Sequence, residues 1–261
     1  MKLKYDEDYT NTFHSTGIEP WILGYLKSKE SLGRVLDVGC GLGFSALLLK
    51  LYLGNYEQLV GVDLSSEKIS KVKRLNLYDE LHVANIQDFN PKIKFDTLMA
   101  LEVLHGLQAE VLTTIESFVK EKGSIILALP SLPKGMSVED LIKRGYDVYR
   151  YLLRGLILVD LKRYEIHLAG HSTFLKMIKF ILTVLKPLLR ITGSLKRGYL
   201  LAFKQDKHEK VPLKALSALI SKDHMFSLTL FSFNSHLEAR KRIASVNGST
   251  GFIYKAEGIN S

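Results

Sequence analysis

The chain has a single cysteine, Cys40, among its 261 residues. No disulfide can close within it, which fits a reducing compartment such as the cytoplasm. Uncharged apolar runs stay shorter than the roughly 18 residues at which a segment becomes a candidate membrane-spanning helix, so no span is expected. The start, MKLKYDEDY, has no apolar stretch of the kind a secretory signal requires, and none is expected there. Metal-ligand spacing is also missing. His167 and His171 stand four apart and could share a helix face, but no cysteine or carboxylate pattern accompanies them, so no metal is expected. Acidic residues are scarce in one half only. Residues 135–261 hold 21 Lys/Arg and 10 Asp/Glu, a net charge of +11, whereas residues 1–134 hold 15 and 17, a net of −2. Such asymmetry points to an anionic partner: nucleic acid, a phospholipid surface or an acidic substrate. With 46% of residues hydrophobic, the chain can bury a sizeable core.

The run Val35-Leu36-Asp37-Val38-Gly39-Cys40-Gly41-Leu42-Gly43-Phe44-Ser45 carries the strongest signal. An apolar strand leads into a loop with glycine at every second position, and Ala46–Lys50 makes a good helix start behind it. Strand, glycine loop and helix form a ligand pocket at the carboxyl edge of an α/β sheet. The spacing G-x-G-x-G differs from the dinucleotide fingerprint G-x-G-x-x-G. Leu59–Asp63 is a second short strand ending in an acid, and Asp63 lies 20 residues after Gly43, where a carboxylate can reach ribose hydroxyls. A third strand, Leu81–Ala84, runs into Asn85-Ile86-Gln87-Asp88. A fourth, Phe95–Ala100, leads into Leu101-Glu102-Val103-Leu104-His105. A fifth, Gly123–Leu129, ends at Pro130.

Together these segments resemble the class I S-adenosylmethionine (SAM) methyltransferases, over roughly residues 15–130 and more loosely to 204. The resemblance implies SAM as cofactor. It also implies a Rossmann-like, doubly wound α/β sheet of seven strands with an antiparallel last strand. Cofactor-binding residues would be Asp37, Gly39, Cys40, Gly41, Gly43, Asp63, Leu64, Asn85, Ile86 and Leu101. Asp37 either contacts the ligand or orients the loop beside it. The family usually has Asp at position 85, near the adenine amino group; Asn can still accept a hydrogen bond there. Asn85 and Asp88 are otherwise ordinary turn residues. Cys40 reads as a small residue that fits the loop rather than a catalytic thiol. The segment EVLHGL, Glu102–Leu107, resembles the EVLEHL of small-molecule and quinone O-methyltransferases but departs from it. His105 stands where the second Glu belongs, and Gly106 where the His belongs. His105 is therefore a candidate general base and Glu102 a candidate wall of the cofactor pocket.

The methyl acceptor is narrowed by what is missing. No Asp/Asn-Pro-Pro-aromatic motif follows the fourth strand, against amino methylation of adenine. No second cysteine exists for attack on a pyrimidine, and the paired-Glu loop of arginine methyltransferases is not visible.

The remaining segments bear on organisation. Tyr5, Tyr9 and Phe13 intersperse a polar start that either covers the cofactor or frays. Pro20 suits a first helical turn, and Ser65 and Ser137 suit N-caps. Gly145–Tyr149 reads as a sixth strand and Gly198–Lys204 as the seventh. About fifty residues separate them, 150–197 forming a basic, amphipathic helical insertion. On a helix over Thr173–Arg190, Lys176, Lys179, Lys186 and Arg190 fall within an arc of about 80°, beside a wide apolar face. That pattern reads either as an interfacial helix on an anionic membrane or as a helix packed on the sheet or a partner. Pro187 should kink or end it near Lys186. Residues 1–204 form the expected methyltransferase domain and 205–261 an extension, with Phe226–Phe233 and Gly251–Tyr254 as strand candidates. The expected activity is methyl transfer to a small-molecule, lipid-linked or sugar acceptor, most simply at oxygen, by a protein that is cytoplasmic or peripheral at a membrane. Rival readings are a nucleic-acid methyltransferase using the basic half and a non-catalytic SAM-binding module.

Overall fold

The computed structural model describes residues 19–152, 157–168, 173–188 and 199–205. The expected N-terminal cover, His171, Arg190 and the extension after 205 lie outside them. The elements run α1 (Glu19–Lys27), β1 (Gly33–Val38), α2 (Phe44–Tyr52), β2 (Tyr56–Asp63), α3 (Ser66–Lys73), β3 (Glu80–Val83) and β4 (Phe95–Leu101). They continue α4 (Val111–Ser117), β5 (Val119–Leu129), α5 (Val138–Lys143), β6 (Asp147–Leu152), β7 (Ile157–Asp160), β8 (Ile166–Leu168), α6 (Thr173–Val184) and β9 (Leu200–Lys204).

Among the described residues the strands form one sheet, ordered β3-β2-β1-β4-β5-β9-β6-β7-β8. β1 to β5 pair in parallel with one another. β9 inserts between β5 and β6, antiparallel to both, as the resemblance implies for the last strand. Order reverses between β1 and β4, and at such a switch point the loops following the two strands part and leave a crevice at the carboxyl edge.

The period of two along β1 explains why both faces are covered. Val35 joins a core cluster with Trp21 and Tyr25 of α1, Leu47 of α2 and Val72 of α3. Leu36 points the other way, into a cluster with Leu112 of α4, Leu141 of α5 and Leu175 of α6. Each fully buried aliphatic side chain contributes about 1.5–3 kcal/mol. Helix starts follow local chemistry. The Ser65 side chain accepts from the Lys68 N–H at 3.2 Å, and Ser137 and Asp140 form a reciprocal capping box.

The insertion differs from the expected helical one in two respects. First, Ile157-Leu158-Val159-Asp160 and Ile166–Leu168 add two antiparallel edge strands beyond β6. Second, His167 therefore sits on a strand, its ring edge-on to Tyr149 at 5.9 Å between centroids, and not on a helix face. α6 ends at Val184, close to the break that Pro187 predicts, since proline lacks an N–H and its ring crowds the carbonyl four residues back. Only Lys176 and Lys179 of the expected basic stripe lie within it.

Candidate functional site

The glycine loop leaves β1 at Val38 and is fixed by backbone bonds. The Gly39 and Cys40 N–H groups both donate to the Val62 carbonyl, at 2.7 and 3.1 Å, and Gly43 N–H donates to the Cys40 carbonyl at 2.9 Å. Gly39, Gly41 and Gly43 have φ of 69°, 53° and 80°, the left-handed region that favours glycine. Their surroundings differ. A Cβ on Gly39 would lie 2.3 Å from Val103 Cγ2, and one on Gly43 2.5 Å from Val72 Cγ2. One on Gly41 would meet nothing nearer than the Gly39 carbonyl oxygen at 3.8 Å. Gly39 and Gly43 are thus pressed against protein, while Gly41 faces open space.

Asp63, at the end of β2, ties this loop down. Its Oδ2 accepts the Gly41 N–H at 2.9 Å and its Oδ1 the Ser65 N–H at 2.8 Å. Each oxygen retains a further lone pair for a ligand hydroxyl. Leu64 beside it is 57% exposed, an apolar surface at the carboxyl end of β2. After β3, Asn85 Oδ1 accepts the Gln87 N–H at 3.2 Å, so this side chain holds its own turn and keeps one acceptor lone pair. The Asn85 carbonyl accepts the Asp88 N–H at 2.9 Å. Ile86 is buried in the core and Leu101 packs half-buried at the end of β4.

Beneath the loop lies a buried polar cluster. The Tyr78 hydroxyl donates to Asp37 Oδ2 at 2.6 Å. Burial pushes the Asp37 carboxyl up to about 7 against the pull of that bond, and the Asp63 charge adds to the rise. Burial, then the charges of Asp37 and Asp63, push the Cys40 thiol far above its ordinary range. A thiol so strongly protonated is not a nucleophile. Its sulfur packs against Gly61, where an added Cβ would lie 3.0 Å from Sγ.

Across the switch point, Glu102 adopts a φ of 61°, a strained value for a residue with a Cβ. Its N–H donates to the Ala128 carbonyl at 2.9 Å, and its carboxylate accepts the Tyr199 hydroxyl at 2.5 Å. The Tyr199 ring lies 5.4 Å from that of Tyr151, and the Tyr199 carbonyl accepts from Arg150 Nη1 at 3.3 Å. His105 is exposed on the turn that follows, between fully buried Leu104 and Gly106. Gly106 has a φ of 82°, which accounts for glycine where the EVLEHL pattern has His. The turn is clamped to the loop after β5: Lys134 N–H donates to the Leu107 carbonyl at 2.7 Å, and Ala109 N–H to the Lys134 carbonyl at 3.0 Å. Sequence reading missed Tyr78, Val103, Arg150 and Tyr199. Nothing local marks them, since each acts on a partner distant in the chain.

A family model described as a methyltransferase domain matches residues 29–169, more than half of the 261. The chain belongs to this methyltransferase family. Its class is the SAM-dependent methyltransferase and its cofactor is SAM. The residues present fit that cofactor: a carboxylate placed for hydroxyls, an exposed leucine beside it, and loop backbone open at Gly41. No curated protein matches the chain in sequence. Among solved structures it is similar to the N-methyltransferase NodS from Bradyrhizobium japonicum WM9, solved with S-adenosyl-L-homocysteine. The identity is 15%, over 48% of this chain and 67% of that one, with a TM-score of 0.38. It is similar to the plantazolicin methyltransferase BpumL with a triazolic desmethylPZN analog and S-adenosyl-L-homocysteine, at 15% identity over 75% and 87% with a TM-score of 0.47. An S-adenosylmethionine-dependent methyltransferase from Clostridium acetobutylicum ATCC 824 shows 18% identity over 58% and 62%, with a TM-score of 0.38. Among the described residues no helix is long and apolar enough to cross a membrane.

Proposed function

We propose that the methyltransferase acts on an apolar or lipid-linked small-molecule acceptor and methylates it at oxygen. The observation that carries this reading is the pairing of an open glycine backbone at Gly41 with a second wall across the switch point, where Glu102 is held in a strained conformation by Tyr199. SAM, when bound, supplies an activated methyl carbon. The chain's own part is to hold the two reactants in line and keep water out. Asp63, Leu64 and the loop hold the donor side, with Asn85 at its far end. Glu102, Tyr199 and the aromatic face of Tyr151 shape the acceptor side. A neutral hydroxyl is a poor nucleophile, and the role of the His105 imidazole on the adjoining turn is to take its proton. Meeting such an acceptor suits a protein peripheral at a membrane. A nucleic-acid acceptor has only the net charge of the basic half in its favour.

Isothermal titration with SAM tests the donor side. Wild type should bind, and Asp63→Ala should lose about 1–3 kcal/mol of affinity with its hydroxyl and amide bonds. Absence of any heat with wild type rejects the reading, and an unchanged Asp63→Ala affinity removes this carboxylate from the site. Incubation with methyl-labelled SAM and a membrane lipid extract tests the acceptor side. Label should partition into the organic phase and, with His105→Ala, appear about 10²–10⁴-fold more slowly. Label appearing only in RNA points to the nucleic-acid reading instead, and turnover untouched by His105→Ala rejects the base.

A further inference from the structure

Helix α6 is apolar on two sides. Leu175, Ile178 and Leu182, spaced three and four apart, pack on the sheet cluster that holds α4 and α5. At roughly 100° per residue, Phe180, Val184, Met177, Ile181 and Phe174 fall on an outward arc of about 120°. Phe180 is 69% exposed, Val184 61%, Met177 53% and Phe174 50%. A helix packed on a water-facing sheet ordinarily carries polar residues there, and five large apolar side chains on one outward face mark an interaction surface.

The rest of the helix says what kind. Lys176 and Lys179, both exposed, line one flank between the outward arc and the packed stripe. Thr183 lies on the same flank, and its hydroxyl is satisfied within the helix, donating to the Lys179 carbonyl at 2.7 Å. Among the described residues α6 contains no acidic residue, and the half of the chain to which it belongs has a net charge of +11. A convex apolar ridge with a lysine border, on a basic protein, is complementary to an anionic interface into which side chains insert while ammonium groups remain at headgroup level. We infer that the outward face of α6 docks the protein on an anionic phospholipid surface, with the helix lying in the plane of the interface.

The topology connects this surface to the site. β9 is antiparallel to β5, β6 to β9, β7 to β6 and β8 to β7. β8 therefore points the same way as β5, and its last residue lies at the carboxyl edge from which the glycine loop and Glu102 open. α6 begins five residues after Leu168, so docking brings that edge toward the lipid and shortens the path of an apolar acceptor.

The test is co-sedimentation of the full chain with vesicles of phosphatidylcholine alone or mixed with phosphatidylglycerol. Binding to the mixed vesicles should be at least tenfold tighter than to the neutral ones and should weaken with salt. Phe180→Asp combined with Met177→Asp should reduce it at least tenfold, with the denaturant midpoint and SAM titration unchanged. Lys176→Glu with Lys179→Glu should reduce it several-fold. The inference is overturned if wild type ignores anionic vesicles, if the aspartate pair binds as wild type does, or if wild type instead dimerises through Phe180 or binds RNA but not vesicles. Vesicle binding by a protein that takes up no SAM would leave this surface standing and reject the proposed function; the reverse result would do the opposite.

Discussion

Gly39→Ala should destabilise the fold by about 2–5 kcal/mol, whereas Gly41→Ala should cost about 1–2 kcal/mol and instead weaken SAM binding. Both residues lie in the left-handed region, where a Cβ costs about 1–2 kcal/mol. Only Gly39 adds a collision, with Val103 Cγ2 at 2.3 Å and Val103 Cβ at 2.7 Å. Val103 cannot retreat freely, because it follows strained Glu102, whose N–H is fixed to Ala128, and precedes fully buried Leu104. Overpacking at such a position costs about a further 1–3 kcal/mol. Denaturant unfolding separates the two variants. A double-mutant cycle with Val103→Ala should recover part of the Gly39→Ala loss, since the Cγ2 contact disappears while the Cβ contact at 2.7 Å remains.

Gly41→Ala isolates function from folding. Its methyl would project into space that protein does not fill, next to an N–H held by Asp63. If that space receives the cofactor, the methyl should lower SAM affinity at least tenfold while the unfolding midpoint shifts only slightly. SAM affinity preserved in a folded Gly41→Ala protein means the glycine loop serves as a turn and the cofactor lies elsewhere.

These glycines were legible in the sequence because their chemistry leaves few alternatives. A backbone held at positive φ in a loop between strand and helix selects glycine, and a strand-end carboxylate 20 residues on selects Asp63. The order of the first five strands was readable for the same reason, as apolar runs ending in polar turns. The limits of the reading are equally physical. Tyr78 meets Asp37 across 41 residues and Tyr199 meets Glu102 across 97; no local pattern encodes either contact. Ile157–Asp160 is four residues long, too short for periodicity to distinguish from the helical insertion around it. The outward face of α6 was visible as an apolar, lysine-bordered pattern. Which of its two apolar sides would be covered depended on where β7 and β8 widened the sheet.

Asp37 should give the protein a stability that falls between pH 4 and pH 7. Its carboxyl rises from an ordinary 3.8 to about 7, chiefly through burial. Below about pH 4 the residue is neutral in both folded and unfolded chains, and its burial carries little penalty. As pH increases, the unfolded chain releases the proton first while the folded chain retains it. Stability from this residue therefore declines by about 1.4 kcal/mol per pH unit and levels off above pH 7 at a total loss of about 4 kcal/mol. Asp37→Asn abolishes the titration, and its amide oxygen can still accept the Tyr78 hydroxyl. The variant should be the more stable protein at pH 8, and the gap between it and wild type should close or reverse toward pH 4.5. Urea unfolding of both proteins at pH 4.5, 6 and 8 measures this difference, in which the carboxylates held below their ordinary range, Asp96 and Asp140 among them, cancel. Parallel profiles would mean that Asp37 is ionised throughout and that the loop above it, not the core, sets its charge. A buried carboxyl that resists ionisation directly beneath the glycine loop is costly to stability at neutral pH. Its retention there is most simply explained by the fixed bond from Tyr78, which braces the end of β1 where Gly39 begins its turn.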